Sequence, residues 1–216
     1  MAIRIIIADD HKLFREGLHS LLEKLPGVEI IGEADNGRDT IQLVSKLSPH
    51  IVIMDISMPG LNGIEATVQL SKKCPNTKVI ALSMHSDRRF VTEMLKAGAY
   101  AYLVKDCARK DLEDAIRAVS AGQKFLSPQI AGVVISDYVQ ILADETEAPE
   151  ADKLSSRERE VLQLIAEGKN VKEIALILDI SPKTVEFHRK RIMNKVGAKT
   201  IAELTKYAIK MGFTSL

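Results

Sequence analysis

Five short apolar runs alternate with five amphipathic segments over the first 121 residues, and this alternation restricts the fold more than any other feature. The predicted strands span residues 3–8, 28–33, 51–54, 78–82 and 100–104. The predicted helices span residues 12–24, 37–47, 63–73, 87–97 and 108–121. Strands joined through helices form parallel β-α-β units, whose sheet is covered on both faces. The pattern therefore predicts a doubly wound α/β domain with five parallel strands.

A different pattern follows. One more helix is predicted from Pro128 to about Leu142, with Ser127 as its N-cap and the proline at its first position. Residues 143–152, ADETEAPEAD, are acidic, contain a proline and lack large apolar side chains, which is typical of a linker.

The rest of the chain is predicted to be helical, with Ser156 as the N-cap of the first helix. The predicted helices span residues 156–167, 171–178, 182–196 and 200–211. We therefore expect an all-α domain of four helices after the linker. The expected parts are an α/β domain at 1–124, a helix and linker at 125–152, and the helical domain at 153–216.

Charge is distributed unevenly between these parts. The whole chain holds 30 basic and 29 acidic residues, but residues 152–216 hold 13 basic and 8 acidic ones. A basic helical domain behind a mildly acidic one fits a nucleic-acid-binding protein better than a membrane protein. The amino terminus does not have the pattern of a signal peptide, and no apolar run is long enough to span a bilayer. We expect a cytoplasmic protein whose cysteines, Cys74 and Cys107, are reduced thiols.

Polar residues follow four of the five predicted strands. Asp9 and Asp10 end the first strand, Asp55 the third, Ser83 the fourth and Lys105 the fifth. Ligands of such sheets bind at the carboxyl ends of the strands, so these side chains are expected to converge. Carboxylate oxygens suit Mg²⁺ together with a phosphate, and a carboxylate can accept a phosphoryl group. The alternative is that each acid only caps a helix or ends a strand.

Residues 3 to about 121 resemble the receiver domain of bacterial two-component response regulators. The resemblance rests on Asp9-Asp10, Asp55-x-x-x-Pro59-Gly60, Asn62-Gly63, Ser83 and the KAGAYAYLVKD run at 96–106 with Lys105. It implies that Asp55 is phosphorylated by a histidine kinase, with Lys105 and Ser83 stabilising the phosphoryl oxygens. It also implies Mg²⁺ held by Asp10, Asp55, the backbone carbonyl of Ser57 and, through water, Asp9. Tyr102 takes the position of the switch aromatic. In many receivers proline follows the lysine, whereas here Asp106 does, so we do not expect a cis peptide bond there.

The predicted helix at 182–196 carries most of the basic charge of the second domain. Together with the preceding short helix it has the spacing of a helix-turn-helix, whose second helix enters the major groove of DNA. Phosphate contacts are expected from Lys183, Thr184, His188, Arg189 and Arg191. Base contacts are expected from Glu186, Phe187 and Lys190. The alternative is a solvated charged helix face.

This second domain resembles the LuxR-type helix-turn-helix over its full length. The matching segments are LSSREREVLQLIAEG, KEIALILDISPKTVEFHRKRIMNKVG and AELTKYA. A receiver followed by this domain is the arrangement of NarL/FixJ-type response regulators. In that family the last helix pairs two DNA-binding domains, which makes Ala202, Leu204, Tyr207 and Ala208 candidate dimer residues, although an apolar terminal helix can also close its own core.

The resemblance implies a transcription factor controlled by phosphorylation, not an enzyme. Phosphorylation of Asp55 is expected to favour a homodimer on two DNA half-sites. The expected partners are a sensor histidine kinase, double-stranded DNA, a second copy of the chain and RNA polymerase. Two alternatives stay open: a receiver that works unphosphorylated as a protein-binding platform, and a Mg²⁺-dependent phosphatase with an aspartate nucleophile. The phosphatase alternative is weakened by Ser57, because such enzymes carry their general acid two residues after the nucleophile.

Overall fold

The computed structural model describes residues 2–143 and 154–214, and the side chains of residues 136–143 are not included in that description. The chain forms two compact units, one on each side of the acidic segment, and each is described by itself. The predicted linker at 143–152 falls outside the described residues, apart from Ala143.

The first unit is built on a parallel sheet with the strand order β2-β1-β3-β4-β5-β6. Its strands are β1 Ile3–Ala8, β2 Val28–Ala34, β3 Ile51–Met54, β4 Lys78–Ser83, β5 Ala101–Val104 and β6 Phe125–Leu126. The predicted parallel sheet is confirmed, but the count of five strands was wrong, because β6 pairs with β5 at the sheet edge. A two-residue strand is too short to show a periodic pattern in sequence.

Five helices connect successive strands, and a sixth follows the last strand. They are α1 Lys12–Leu22, α2 Gly37–Leu47, α3 Gly63–Lys73, α4 Arg88–Ala97, α5 Arg109–Ser120 and α6 Pro128–Ala143. Leu18 and Leu22 of α1 and Leu112 and Ile116 of α5 form one core cluster with isoleucines of β1 and β3. Helices α2, α3 and α4 also contact the sheet, so the strands are shielded from water.

The strand order reverses between β1 and β3, which lie next to each other at the centre of the sheet. Their carboxyl ends, Ala8 and Met54, are register partners. The residues that follow them, Asp9 and Asp55, therefore leave the sheet side by side. This switch point is where open α/β sheets bind their ligands.

The second unit consists of helices packed around an apolar core. Its helices are α7 Ser156–Ala166, α8 Val171–Leu178, α9 Pro182–Val196 and α10 Ile201–Lys210. Ser155, not the predicted Ser156, caps α7, because only Ser155 has a glutamate three residues later to complete a capping box. The turn between α8 and α9 has Asp179 in the left-handed conformation at φ 52° and Ser181 as the N-cap of α9. In the described ranges, every helix is too short or too polar to cross a membrane.

Candidate functional site

Three carboxylates and one ammonium group meet at the switch point of the sheet. Lys105 Nζ lies 2.7 Å from Asp9 Oδ2 and 3.0 Å from Asp55 Oδ2. The side chains of Lys105, Asp9 and Asp55 are at most 4% exposed, whereas the Asp10 side chain is 30% exposed. We call Asp9, Asp10, Asp55 and Lys105 the acidic pocket. The structure brings together all four of these predicted residues.

The acidic pocket carries more negative than positive charge. One ammonium group contacts two of the three carboxylates, and the third, Asp10, has His11 Nδ1 2.9 Å from its Oδ1. Burial raises the pKa of Asp55, and the neighbouring Asp9 adds to that effect, although Lys105 opposes it. An excess of buried negative charge is costly unless a cation compensates it. The donor set therefore fits a divalent cation of the hard, oxygen-binding kind.

The backbone holds Asp55 in place from both sides. Its N–H donates to the carbonyl of Ala8 at 2.8 Å, and its Oδ1 accepts from the Ile56 N–H at 2.7 Å. Gly63, at the start of α3, passes so close that a Cβ there would lie 1.9 Å from the carbonyl oxygen of Asp55. The loop between β3 and α3 therefore needs glycine at this position for close packing and not for an unusual φ angle.

Hydrogen bonds around His85 join Ser57, two residues after Asp55, to the end of β4 and to β5. Ser57 Oγ lies 3.2 Å from His85 Nε2, and the His85 N–H donates to Ser83 Oγ at 3.2 Å. The hydroxyl of Tyr102 donates to the His85 carbonyl at 2.7 Å. The ring of His85 stacks on Phe90 of α4 at 4.1 Å between centroids. His85 thus joins three residues that the resemblance singled out separately, a link that depends on the fold of the β4–α4 loop.

Burial isolates the switch-aromatic position from solvent. Tyr102 is fully buried, and burial raises the pKa of its phenol above the usual range. The peptide bond after Lys105 is trans, since none in the described part of the chain is cis.

In the second unit, α9 shows a buried and an exposed side. Val185 and Ile192 are fully buried in the core of the unit. Lys183, Phe187, Lys190 and Arg191 are exposed, while Thr184, Glu186, His188 and Arg189 are half-buried. Phe187 is 56% exposed, and the guanidinium carbon of Arg191 lies 5.5 Å from the centroid of its ring. Two of the predicted DNA-contacting residues form an ion pair within the helix, because Glu186 Oε2 lies 2.7 Å from Arg189 Nη2.

Glu158 connects the C-terminal part of α9 to the start of α7. Its side chain is 2% exposed, and its Oε2 accepts from the Ser155 N–H at 2.8 Å and from Lys195 Nζ at 2.6 Å. Oε1 lies 3.5 Å from Arg191 Nε. Burial opposes the ionisation of Glu158, but the hydrogen bonds from Lys195 and Ser155 outweigh it and lower the pKa.

We expect Glu158→Gln to destabilise the second unit at neutral pH and to matter less in acid. Because the pKa of Glu158 in the folded chain lies below its ordinary value of 4.5, the charged contact stabilises the fold above that pH and is lost as the pH falls through the folded pKa. A charge-assisted hydrogen bond contributes about 1.5–3 kcal/mol, and we expect a loss of about 2 kcal/mol at pH 7.

Urea unfolding of the full chain, followed through the amide NMR signals of α7 to α10 at pH 7 and pH 3.5, measures this difference. Glu173→Gln is the matched control, because Glu173 closes an equivalent capping box at α8 but is exposed and has no lysine partner in the described contacts. Equal losses for both variants at pH 7 would contradict a special role of the Lys195 contact.

The predicted dimer residues on α10 fall into two groups. Leu204 and Ala208 are fully buried in the core of their own unit, so their assignment to a dimer surface was wrong. An amphipathic helix buries one face in its own core, and the spacing of four places these two residues on that face. Ala202 is exposed and Tyr207 is half-buried, so both stay dimer predictions.

Comparison with known proteins matches a different family to each unit. Residues 5–117 match the family described as "Response regulator receiver domain". Residues 152–208 match the family described as "Bacterial regulatory proteins, luxR family". The first match covers the acidic pocket, and the second covers α7 to α9 and most of α10.

Full-length relatives share this arrangement. The response regulator GacA of Pseudomonas protegens is 36% identical over 210 residues, covering 97% of both chains. The response regulator UvrY of Escherichia coli K12 is 36% identical over 210 residues, covering 97% of this chain and 95% of its own. A structure of the response regulator RcsB of Salmonella typhimurium matches with a TM-score of 0.67 and 29% identity, covering 97% and 98% of the two chains. The chain therefore belongs to the two-component response regulators that join a receiver domain to a LuxR-type DNA-binding domain, and it is a regulator of transcription.

Proposed function

We propose that Asp55 accepts a phosphoryl group from a sensor histidine kinase and that this modification controls binding of operator DNA by the second unit. The observation that carries the proposal is the acidic pocket, in which a buried Asp55 contacts Lys105 beside Asp9 and the more exposed Asp10. The proposed domains are the receiver at 1–124, the helix and linker at 125–152, and the DNA-binding domain at 153–216.

The chemistry follows from the position of Asp55. A carboxylate oxygen of Asp55 attacks the phosphorus of a phosphohistidine, so that an O–P bond forms while the N–P bond breaks. The ammonium group of Lys105 and the hydroxyl of Ser83 stabilise the transferred phosphoryl oxygens. Asp10, Asp55 and the Ser57 carbonyl would hold Mg²⁺ directly, and Asp9 would hold it through water. When bound, the ion neutralises charge on the phosphoryl oxygens.

The contacts of His85 can transmit a change at Asp55 to α4 and β5. If the Ser83 hydroxyl turns toward the phosphoryl group, it leaves the His85 N–H to which it is now bonded. His85 also holds the Tyr102 hydroxyl and stacks on Phe90. A shift at Ser83 therefore changes the packing of both elements, and phosphorylation biases the receiver between two arrangements.

The DNA contact is assigned to α9. Its exposed side presents Lys183 and Arg191 to phosphates and Phe187 and Lys190 to base edges, with the half-buried Thr184, Glu186, His188 and Arg189 beside them. A solved structure described as two RcsB dimers bound to two parallel DNAs is similar to this chain at 29% identity and a TM-score of 0.60. It supports a homodimer on paired half-sites for this chain. Action on chromosomal DNA puts the protein in the cytoplasm, with RNA polymerase as a further partner.

We propose no enzymatic turnover for this chain. The position two residues after Asp55 carries Ser57, whose Oγ lies 3.2 Å from His85 Nε2, so the general acid of an aspartate-nucleophile phosphatase is not there. The complete set of Asp9, Asp10, Asp55 and Lys105 favours a phosphorylated receiver over an unphosphorylated platform.

The test is the intact mass of the full chain after incubation with a small-molecule phosphodonor and Mg²⁺. We expect one added phosphoryl group, absent in Asp55→Asn and absent when the metal is chelated. Asp106→Asn is the control, because Asp106 is an exposed carboxylate next to Lys105 and should label normally. Labelling of Asp55→Asn at the rate of the native chain would overturn the assignment.

A further inference from the structure

His11 lies at the edge of the acidic pocket without a place in the proposed phosphoryl chemistry. It follows Asp10 directly and is the N-cap residue of α1, but its side chain forms no cap hydrogen bond. Its ring is 66% exposed, so the fold does not use it for packing. Nδ1 nevertheless points to the pocket, at 2.9 Å from Asp10 Oδ1 and 3.4 Å from Asp9 Oδ1.

These distances match the spacing of ligands around one ion. Ligands at about 2.1 Å from an octahedral dication lie about 3 Å from their nearest neighbours. His11 Nδ1 has that distance to one oxygen of each of Asp9 and Asp10. One ligand atom from each of Asp9, Asp10, His11 and Asp55 lies within 4.8 Å of all the others. An ion held by Asp10 and Asp55 could therefore also be reached by the ring nitrogen, with Asp9 acting through water.

The carboxylates are also oriented for this arrangement. Lys105 occupies the Oδ2 atoms of Asp9 and Asp55, on the inner side of the pocket. The Oδ1 atoms of Asp9 and Asp10 are the ones that approach His11. The ammonium group and the imidazole thus face different oxygens, so neither competes with the other.

We infer that His11 supplies a nitrogen ligand through Nδ1, and that the pocket consequently binds imidazole-preferring dications such as Fe²⁺, Co²⁺, Ni²⁺ or Zn²⁺ more tightly than a site with oxygen ligands alone. This inference rests on the metal site of the proposed function and adds a residue and an ion class to it. Imidazole suits these transition-metal ions, whereas Mg²⁺ is satisfied by oxygen ligands and water. The preference of the acidic pocket between transition-metal ions and Mg²⁺ therefore depends on His11.

The experiment uses the full chain with Co²⁺ as the probe and Mg²⁺ as the reference ion, both titrated calorimetrically. We expect His11→Ala to weaken Co²⁺ binding about tenfold or more, while Mg²⁺ binding changes less than about twofold. In the Co²⁺-loaded native chain, a hyperfine-shifted imidazole N–H proton signal should appear in the NMR spectrum and be missing in His11→Ala. His50→Ala is the control, because the exposed His50 precedes β3 at the opposite edge of the sheet.

The outcomes separate this inference from the proposed function. Unchanged Co²⁺ affinity in His11→Ala, or no shifted imidazole signal in the native chain, would overturn the nitrogen ligand while Mg²⁺ binding keeps the receiver chemistry intact. Equal weakening of Co²⁺ and Mg²⁺ would also overturn it, because His11 would then act only by orienting Asp10. Failure of the native chain to bind either ion would instead refute the metal site itself.

Discussion

Gly63→Ala is expected to destabilise the receiver unit by about 3 kcal/mol or more and to suppress phosphorylation of Asp55. The added Cβ would lie 1.9 Å from the carbonyl oxygen of Asp55 and 3.0 Å from Cγ of Met54. The first contact is with backbone, so no side-chain rotation relieves it. Either α3 moves away, which breaks the 2.8 Å hydrogen bond from the Gly63 N–H to the Ile56 carbonyl, or the Asp55 backbone moves within the pocket.

Urea unfolding followed by the amide signals of the first unit measures the stability, and the intact-mass assay measures the labelling. Gly17→Ala is the matched control, because Gly17 lies within α1 and a Cβ added there would meet no other atom within 4 Å. Alanine in a helix interior is favoured over glycine by up to about 1 kcal/mol, so this control should be neutral or stabilising. Equal effects of the two substitutions would show that the approach of Gly63 to Asp55 carries no cost.

The regular elements of the first unit could be predicted because their signals are local. Strands β1 and β3 were predicted with the bounds that the structure has, since each is rich in isoleucine and other apolar residues and ends at a carboxylate. Convergence of Asp9, Asp55 and Lys105 needed one further rule, that parallel strands end at the same edge of the sheet. Strand β6 escaped prediction because its two residues gain their strand character only from pairing with Ala101 and Tyr102.

Two predictions, the N-cap of α7 and two of the dimer residues of α10, were wrong where residue type alone allows two structural roles. Ser155 and Ser156 are both good caps, and only the position of Glu158, three residues after Ser155, selects the first. On α10, Leu204 and Ala208 share the apolar character expected of either a core or a dimer surface. Composition does not distinguish these two uses, whereas contact with the core of the same unit does.

Side-chain links between loops form a third class that sequence does not reveal. The contacts of His85 with Ser57, Ser83 and Tyr102 join residues that are up to 28 positions apart. Nothing in the spacing of these residues indicates that the histidine lies between them. The same holds for Glu158 and Lys195, which are 37 positions apart and fix α9 to α7.

Lys183→Glu is expected to weaken binding of DNA about tenfold or more at low salt and to flatten its salt dependence. Lys183 is exposed on α9, and each lysine that neutralises a phosphate contributes about 0.9 to the slope of log affinity against log salt concentration. Because this electrostatic contribution does not depend on sequence, a duplex of arbitrary sequence is a sufficient probe, with affinities measured by fluorescence anisotropy over a series of salt concentrations.

Lys206→Glu is the control, since it makes the same charge change at an exposed position of α10. If both variants lost the same affinity and slope, the effect would come from net charge, and α9 would not be the surface that meets the phosphates.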